Sequence, residues 1–546
     1  PDTNMGASGN AWFRPDNQYP ILRFDLSSLT TNALVQNAKL KIYVISSTNP
    51  NPITTKVYKL LRPWNENETT WHKANNSTEW SWVGANGLYS DRLDMPTATQ
   101  PMTFAGVYYE YDITSLAREW VRYPDTNKGI IIVPESSSNV GYSIGSDNNT
   151  TLSRRPLLTV DYSIAPANDY YPFIQITNPG NETFVTNNVS VTVNANDDRG
   201  IQQVNYLVDG SPIGSSAAAP YSFSWNTNNH SGGTHLLKAV AIDSAGQTSE
   251  SSILVYLYRI DSGIVTIGQI TDAHVGTSSF YEPPDKSTYY LNLQQALTNL
   301  NNIIKPAVII NTGDSATIFD NYSGNLYKTV VSQSSIPIKT IAGNHDLSYP
   351  ENYLFYVGPF NKWFDLGLNR FIGYSTSRFN SSWIQSLLSS TNKKGIIFSH
   401  YLLRIPQGSN ADPGFYGMPE SERNTLQSLM NSYQVPAYLS GHLHSSFLLE
   451  DYVSRAVEIG GPDLGSKGQY NLITIDNGTV SSNTISIDDW PAIVITSPQR
   501  YYPDGGTKEV SGVQKIRVKT FGSADIASVV ARLDDNGIAS PLTNLG

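Results

Sequence analysis

The chain has 546 residues, enough for several domains, and its 39% hydrophobic and 15% charged content is that of a globular rather than a disordered protein. A formal net charge of −10, with no basic stripe, argues against a sequence-independent nucleic-acid binder. The absence of cysteine removes disulfides, zinc ribbons and thiol catalysis together, and no apolar run is long enough to span a bilayer.

Residues 1–163 read as short strands broken by Gly, Pro and Asn turns, among them Ile21–Leu26, Lys39–Ile45, Tyr108–Ile113, Gly129–Val133 and Leu157–Tyr162. One helix is predicted at Ser115–Arg122, where Leu116, Trp120 and Val121 share a face. The pattern is that of a β-sandwich. A linker follows at Asn168–Pro172, and residues 172–259 again alternate as strands, including Val189–Val193, Val204–Val208 and His235–Ile242. Residues 491–546 begin the same way: Ile174–Pro179 matches Ile493–Pro498, and Leu207-Val-Asp209 matches Arg532-Leu-Asp534. The second copy is shorter than the first, so a longer native chain, or completion of the module by a strand from another copy, is expected.

Residues 262–489 have a different texture, with apolar strands alternating with helical stretches, as in an α/β layered domain. Strands are predicted at Gly263–Ile270, Val308–Asn311, Ile338–Ile341, Gly395–Ser399 and Ala437–Ser440, and a helix at Tyr290–Ile304. Ligand-binding residues of such domains sit just past the carboxyl ends of strands. There the sequence places Asp272-x-His274, Gly313-Asp314, Gly343-Asn344-His345-Asp346, His400 and Gly441-His442-x-His444. In an extended Asp-x-His or His-x-His, alternate side chains point the same way, so both can reach one site. Glycine before Asp314, Asn344 and His442 leaves room close to a bound ion. A single histidine is more often a surface or core residue than a ligand. Five of the eight histidines fall in these motifs, which a purely structural role does not explain. His72, His230 and His235 lie outside them and read as structural.

These motifs, in this order, resemble the signature of calcineurin-like metallophosphoesterases over residues 262–489. The resemblance implies a two-layer β-sandwich flanked by helices, with two divalent transition-metal ions (Mn, Fe or Zn) at the strand ends. It implies that Asp272, His274, Asp314 and His444 hold one ion and Asp314, Asn344, His400 and His442 the other. His345 would be the acid that serves the leaving group, and Asp346 would steer it. The stretch Ser315-Ala316-Thr317 lacks the further acidic residue often found there, so these positions receive no metal role. With no nucleophilic side chain in the set, the expected reaction is in-line attack on a phosphate ester by metal-bound hydroxide. Arg404 and the Gly408–Gly417 segment are candidates to line the substrate pocket, against the alternative of a surface arginine on a loop.

Residues 172–259 resemble the immunoglobulin-like modules of prokaryotic surface proteins. Ile21–Leu29, Trp64 with Trp71, Tyr111–Thr114 with Trp120, and Arg155–Val160 resemble the DNRLRE-type sandwich, some of whose members bind carbohydrate. Trp64, Trp71, Trp80 and Trp82 could form a sugar-stacking platform; packing within an aromatic-rich core is the competing reading. Asp2–Gly6 looks like that group's turn after a first strand, which leaves the strand itself missing. The fold class expected is therefore multidomain: β-sandwich (1–163), immunoglobulin-like β-sandwich (172–259), α/β two-layer metallophosphoesterase sandwich (262–489) and partial immunoglobulin-like module (491–546). The expected function is that of an exported or surface-attached phosphoesterase of an archaeon or bacterium. The alternatives are a surface-layer, sheath or filament subunit that carries such a domain, and a glycan-binding adhesin. Expected partners are a phosphate-ester substrate, surface glycans, and further copies through the terminal β modules. Sequons such as Asn67, Asn76, Asn149, Asn188, Asn321 and Asn380 lean towards a glycoprotein, although a chain this rich in Asn, Ser and Thr forms many by chance.

Overall fold

The structure is a computed structural model that describes residues 3–14, 18–31, 33–81, 83–87, 91–93, 96–135, 140–164, 169–260, 263–276, 288–375, 377–406, 417–497, 516–522, 526, 528–531 and 540–542. Asp2, Trp82, Asn168, residues 408–416, Pro498 and residues 532–534, all singled out in the sequence, lie outside the described residues. Contacts divide the chain into two units, Pro1–Asn178 with Thr192–Phe223 and Lys238–Ile253, and Pro179–Val191 with Ser224–Leu237 and residues 254 onward.

In the first unit, Ala33–Ser47 is the longest strand of one sheet, and its Ala38, Leu40, Ile42 and Val44 are fully buried while Lys39, Lys41 and Tyr43 alternate with them. It pairs with Tyr142–Gly145, Leu157–Ile164 and Tyr108–Asp112. A second sheet runs in the order Ile21–Leu22, Ile130–Glu135, Ile53–Lys59, Ala98–Met102. One apolar core joins the two sheets with the helix Thr114–Arg122, which contributes Leu116, Ala117, Trp120 and Val121. Trp71 and Trp80 are buried, and the indole N–H groups of Trp64 and Trp80 donate to the carbonyls of Lys128 and Thr70. Their rings line a cleft of about 630 Å³ together with Trp12 and Tyr19. Within the immunoglobulin-like region of this unit, Phe173–Asn178 pairs antiparallel with residues 192–196, and Ile201–Val208 with Ser211–Ser216.

The second unit holds two sheets face to face. One has the order Ile338–Thr340, Val308–Asn311, Ile264–Ile270, Gln469–Asp476, Thr479–Ser486, with its first three strands parallel. The other runs Asn361–Leu366, Asn369–Tyr374, Lys394–Phe398, Ala437–Ser440, Val457–Gly460, Phe447–Glu450, with the middle four parallel. Both faces of the central parallel strands are covered, so strands such as Ile264–Ile270 and Val308–Asn311 are buried throughout. Parity still divides them. Val308, Ile310, Phe371, Ile396, Phe398, Ala437 and Leu439 fill the space between the sheets. Ile309 packs outward on Leu293, Leu297 and Val330 of the helices Thr288–Asn299 and Asn321–Val331. Ile372, Ile397 and Tyr438 pack outward on the helices Ser381–Ser389 and Glu420–Ser432. The predicted helix at Tyr290–Ile304 is α-helical to Asn299 and closes with a π turn, Leu300–Ile304. Near the C-terminus, Ala492–Ser497 pairs antiparallel with Arg517–Phe521, and Ala492, Val494 and Phe521 join the core on the helix side of the first sheet.

Asn149 is buried, with its amide donating to Gly9 O and Asn10 Oδ1, and Asn380 caps the helix Ser381–Ser389. A glycan on Asn149 would break its packing, which counts against reading that sequon as an acceptor.

At Gly373 an added Cβ would stand 2.2 Å from the Phe398 ring in the intersheet core. Gly373→Ala is expected to destabilise the chain by about 1–3 kcal/mol, the usual cost of overpacking. Chemical denaturation that shows no loss would contradict the tight intersheet packing.

Candidate metal centre

The parallel strands of both sheets end at one edge, and five of them hand a short segment to the same place. Ile264–Ile270 leads to Asp272 and His274, Val308–Asn311 to Asp314, and Ile338–Thr340 to Asn344 and His345. Lys394–Phe398 leads to His400, and Ala437–Ser440 to His442 and His444. The structure brings Asp272, His274 and His444 into one group and Asp314, His400 and His442 into another, with His274, Asp314 and His345 spanning the two; within each group the candidate ligand atoms lie within 4.8 Å of one another.

The backbone there is unusual. Asp272, His274, Asp314, His442 and His444 all have positive φ, between +46° and +66°. Each left-handed residue costs about 1–2 kcal/mol, although Asp and His bear it better than most. The expectation that Asp-x-His and His-x-His are extended is therefore corrected. Left-handed turns, not alternation along a strand, aim these side chains. As a result His442 and His444 diverge, one to each group. Such conformations persist where surrounding structure enforces them, which is common at functional sites. Glycine supplies space rather than backbone freedom at two neighbouring positions. A Cβ on Gly343 would lie 2.1 Å from Asp314 Oδ1, and one on Gly441 would lie 2.1 Å from Thr271 Oγ1.

Hydrogen bonds fix which nitrogens face the centre. His400 Nδ1 is 2.9 Å from the carbonyl of Thr312, so it carries the proton, and His400 Nε2 stands 3.1 Å from Asp314 Oδ2 and 3.0 Å from His442 Nδ1. His444 Nδ1 lies 3.2 Å from Asp463 Oδ2, and its Nε2 is 3.3 Å from Asp272 Oδ1 and 3.4 Å from His274 Nε2. Unless these nitrogens hold protons, lone pairs face lone pairs. Asp272 Oδ1, Asp314 Oδ2 and Asn344 Oδ1 are buried without any hydrogen-bond partner. The remaining oxygens are satisfied. Asp272 Oδ2 accepts from His442 N–H and Thr271 Oγ1, and Asp314 Oδ1 from His345 N–H. Leaving a buried oxygen unpaired costs about 1–3 kcal/mol, more for a charged group. A cation between the orphaned oxygens and the inward nitrogens removes that cost, so the residues present fit divalent metal ions.

The electrostatics agree. Burial alone would lower the pKa of His400, yet the adjacent Asp314 pushes it up to about 9. Burial would raise Asp314, but His400, His274 and His345 hold it well below the usual carboxylate range. His444 is pushed up to about 10 by its contacts with Asp272 and Asp463. Protons are held where cations would bind, so metal and proton compete for the same nitrogens.

Asp346 is the residue expected to steer His345. Its carboxylate is fully buried and accepts from Gly343 N–H at 3.0 Å and Ala316 N–H at 3.2 Å, tying the Asp314 and Asn344 loops together. His345 instead rests its Nδ1 on the carbonyl of Thr317 at 2.8 Å. The short 3-10 turn Asp346–Ser348 starts directly after His345. Burial, and then the neighbouring Asp314, push Asp346 up to about 7. Arg404 lies over the Tyr452 ring at 4.3 Å, with Nη1 3.4 Å from Glu450 O, and residues 408–416 beside it in sequence are outside the described residues. His230 accepts from Trp225 Nε1, and His235 Nε2 meets Ser231 O, so both have structural partners. Asp463 was missed. It follows the strand Val457–Gly460, caps the helix Leu464–Lys467 and holds His444. Its only sequence signal was a single acid after an apolar strand.

Residues 13–160 match the disaggregatase related repeat domain, residues 172–239 the bacterial Ig domain, and residues 265–446 the calcineurin-like phosphoesterase family. The first match is to the disaggregatase related repeat rather than to the expected DNRLRE group. No curated protein matches the chain. Similar solved structures include a purple acid phosphatase from yellow lupin (Lupinus luteus) seeds, 12% identical over 82% of this chain and 94% of that one, TM-score 0.39. The anchor protein GAP50 of the Plasmodium inner membrane complex is 16% identical over 41% and 85%, TM-score 0.33. A predicted phosphoesterase of Streptococcus pneumoniae is 14% identical over 47% and 98%, TM-score 0.24.

Asp463→Asn should weaken metal binding by about 10–100-fold, the usual effect of removing a partner that orients a ligating histidine. Competition with a metal indicator measures this. Unchanged affinity would show that Asp463 serves only as a helix cap.

Proposed function

We propose that this metal-dependent phosphoric ester hydrolase, whose residues 265–446 match the calcineurin-like phosphoesterase family, works with two divalent transition-metal ions. Asp272, His274, Asp314 and His444 would hold one ion, and Asp314, Asn344, His400 and His442 the other. The observation that carries the reading is the set of three buried oxygens without hydrogen bonds on Asp272, Asp314 and Asn344 among inward-facing imidazoles. Mixed nitrogen and carboxylate donors suit manganese, iron or zinc. When bound, such ions supply Lewis acidity towards a phosphoryl oxygen and towards water.

The chain's own residues then have distinct tasks. Asp314 belongs to both groups that contain His400 and His345, and its second oxygen is locked by the His345 N–H, which fixes the carboxylate plane. His345, with Nδ1 on Thr317 O and its ring 4.9 Å from that of His274, is left with Nε2 for the site. There it can hold a proton and pass it to the departing oxygen of the ester. Asp346 keeps the two loops in register.

The flanking modules support a place at a prokaryotic cell surface. A bacterial Ig domain match and a disaggregatase related repeat precede the catalytic residues, and among the described residues no helix is long and apolar enough to cross a membrane. In this setting the substrate is a phosphate ester met outside the cytoplasm.

His345→Ala should keep its metal while kcat falls roughly 10²–10⁴-fold, the scale of a lost general acid. The loss should shrink for p-nitrophenyl phosphate, whose leaving group needs little protonation. Equal losses on p-nitrophenyl and alkyl phosphates would contradict the acid role. Asp314→Asn, in contrast, should lose metal and activity together.

A further inference from the structure

We infer that the immunoglobulin-like module carries a second cation site of different chemistry, built from Asp197, Asp198, Asp243 and Gln247 with Asp169 at its rim, and that it takes a hard divalent cation of the calcium class. The site lies wholly within the first unit.

Among the described residues, twelve buried side-chain atoms have no hydrogen-bond partner; three are the metal-centre oxygens, and four are Asp169 Oδ1, Asp197 Oδ2, Asp243 Oδ2 and Gln247 Oε1. Asp243 is fully buried. Its Oδ1 closes a turn by accepting from Ala245 N–H and Gln247 N–H, both at 2.8 Å, which leaves Oδ2 bare. Asp197 does the same from the other side. Its Oδ1 accepts from Arg199 N–H at 2.8 Å, and its Oδ2 is the orphan. Asp198 Oδ1 accepts from Tyr170 N–H at 3.1 Å. The two turns are clasped to each other, because Ser244 N–H and Oγ donate to the Gly200 carbonyl and Ser244 Oγ also to that of Arg199. Each turn thus spends one carboxylate oxygen on its own backbone and leaves another unpaired. Burial, and then the neighbouring Asp198 and Asp243, raise the pKa of Asp197, as expected of crowded carboxylates. Arg199 stands beside the group, its Nε 3.3 Å from Asp169 Oδ1 and its side chain 44% exposed.

The donors differ from those of the catalytic centre. All are oxygens, and no histidine takes part. Among the described residues, the tight groups of three His or Asp ligand atoms all belong to the catalytic centre. Carboxylate and amide oxygens without imidazole suit an ion that takes six to eight oxygens in flexible geometry. Such a site would do more than stabilise one turn. Asp169 and Tyr170 leave the N-terminal sandwich here, and the same segment is held from the sandwich side. Arg122 lies 3.8 Å over the Tyr170 ring, Arg118 lies 4.1 Å over Tyr171, and Tyr123 meets Phe173 edge-on at 5.9 Å. Bound calcium would fasten the junction between the two modules.

The test is calorimetric titration of calcium into the full chain already loaded with manganese or zinc, together with thermal unfolding. The wild type should show saturable calcium binding and a rise in the unfolding temperature of the first transition by roughly 10 °C at calcium a hundredfold above Kd. Asp243→Asn and Asp197→Asn keep the turn-closing Oδ1. Each should lower calcium affinity at least tenfold and leave phosphatase activity unchanged. If Asp243→Asn fails to fold, Asp197→Asn gives the same readout. No saturable calcium binding by the folded wild type would overturn the proposal. So would binding that survives in the folded variants, because the calcium would then sit elsewhere.

Discussion

The structure depends on one unmet electrostatic demand. Asp272, Asp314 and Asn344 each bury an oxygen without a hydrogen bond, and the imidazole nitrogens beside Asp272 and Asp314 offset those carboxylates only while they hold protons. A protein interior does not hold such an arrangement without compensation. Around it the backbone takes left-handed turns at five ligand-bearing positions, and the glycines at Gly343 and Gly441 clear space for Asp314 and Thr271. Local geometry that would be costly elsewhere becomes intelligible once cations neutralise the carboxylates.

The two-sheet core makes that concentration of strain tolerable. Its strands are buried on both faces, their side chains divide cleanly between the intersheet space and the helix layers, and the sheets deliver their parallel strands to a common edge. Buried polar groups reinforce the edge from below. Asn311 donates to Tyr327 Oη and Ser315 Oγ, Tyr327 pairs with Thr340, and Tyr353 donates to Thr340 O. The loops that carry Asp314 and Asn344 therefore start from strands already locked together. Glu458 does the same for the other sheet, accepting from Leu403 N–H, Arg404 N–H and Ser440 Oγ beside His400 and His442.

Much of this could be read from the sequence for a simple reason. A strand buried on both faces is a short apolar run, and a ligand must follow it closely, so the clusters at 272–274, 313–314, 343–346, 400 and 441–444 announce themselves. What could not be read was direction. Asp346 is adjacent to His345 in sequence, but its carboxylate accepts from the backbone N–H groups of Gly343 and Ala316. Asp-x-His looks extended on paper, and only the folded backbone shows φ of +50° and +46° at Asp272 and His274. Asp463 is a lone acid without a histidine beside it. The carboxylates of the proposed calcium site are spread from Asp169 to Asp243, and no local spacing links them. In the N-terminal sandwich, Trp71 and Trp80 are buried beside a cleft, a mixture of packing and lining that a count of tryptophans does not separate.

The central claim is that two cations occupy distinct but adjoining groups of ligands, and elemental analysis tests it most directly. Purified wild-type chain should carry about two transition-metal ions, as a dinuclear phosphoesterase centre requires. His444→Ala and His400→Ala should each retain about one, because each removes a ligand from one group alone. A wild-type chain that binds a single ion, or only calcium at this centre, would contradict the account.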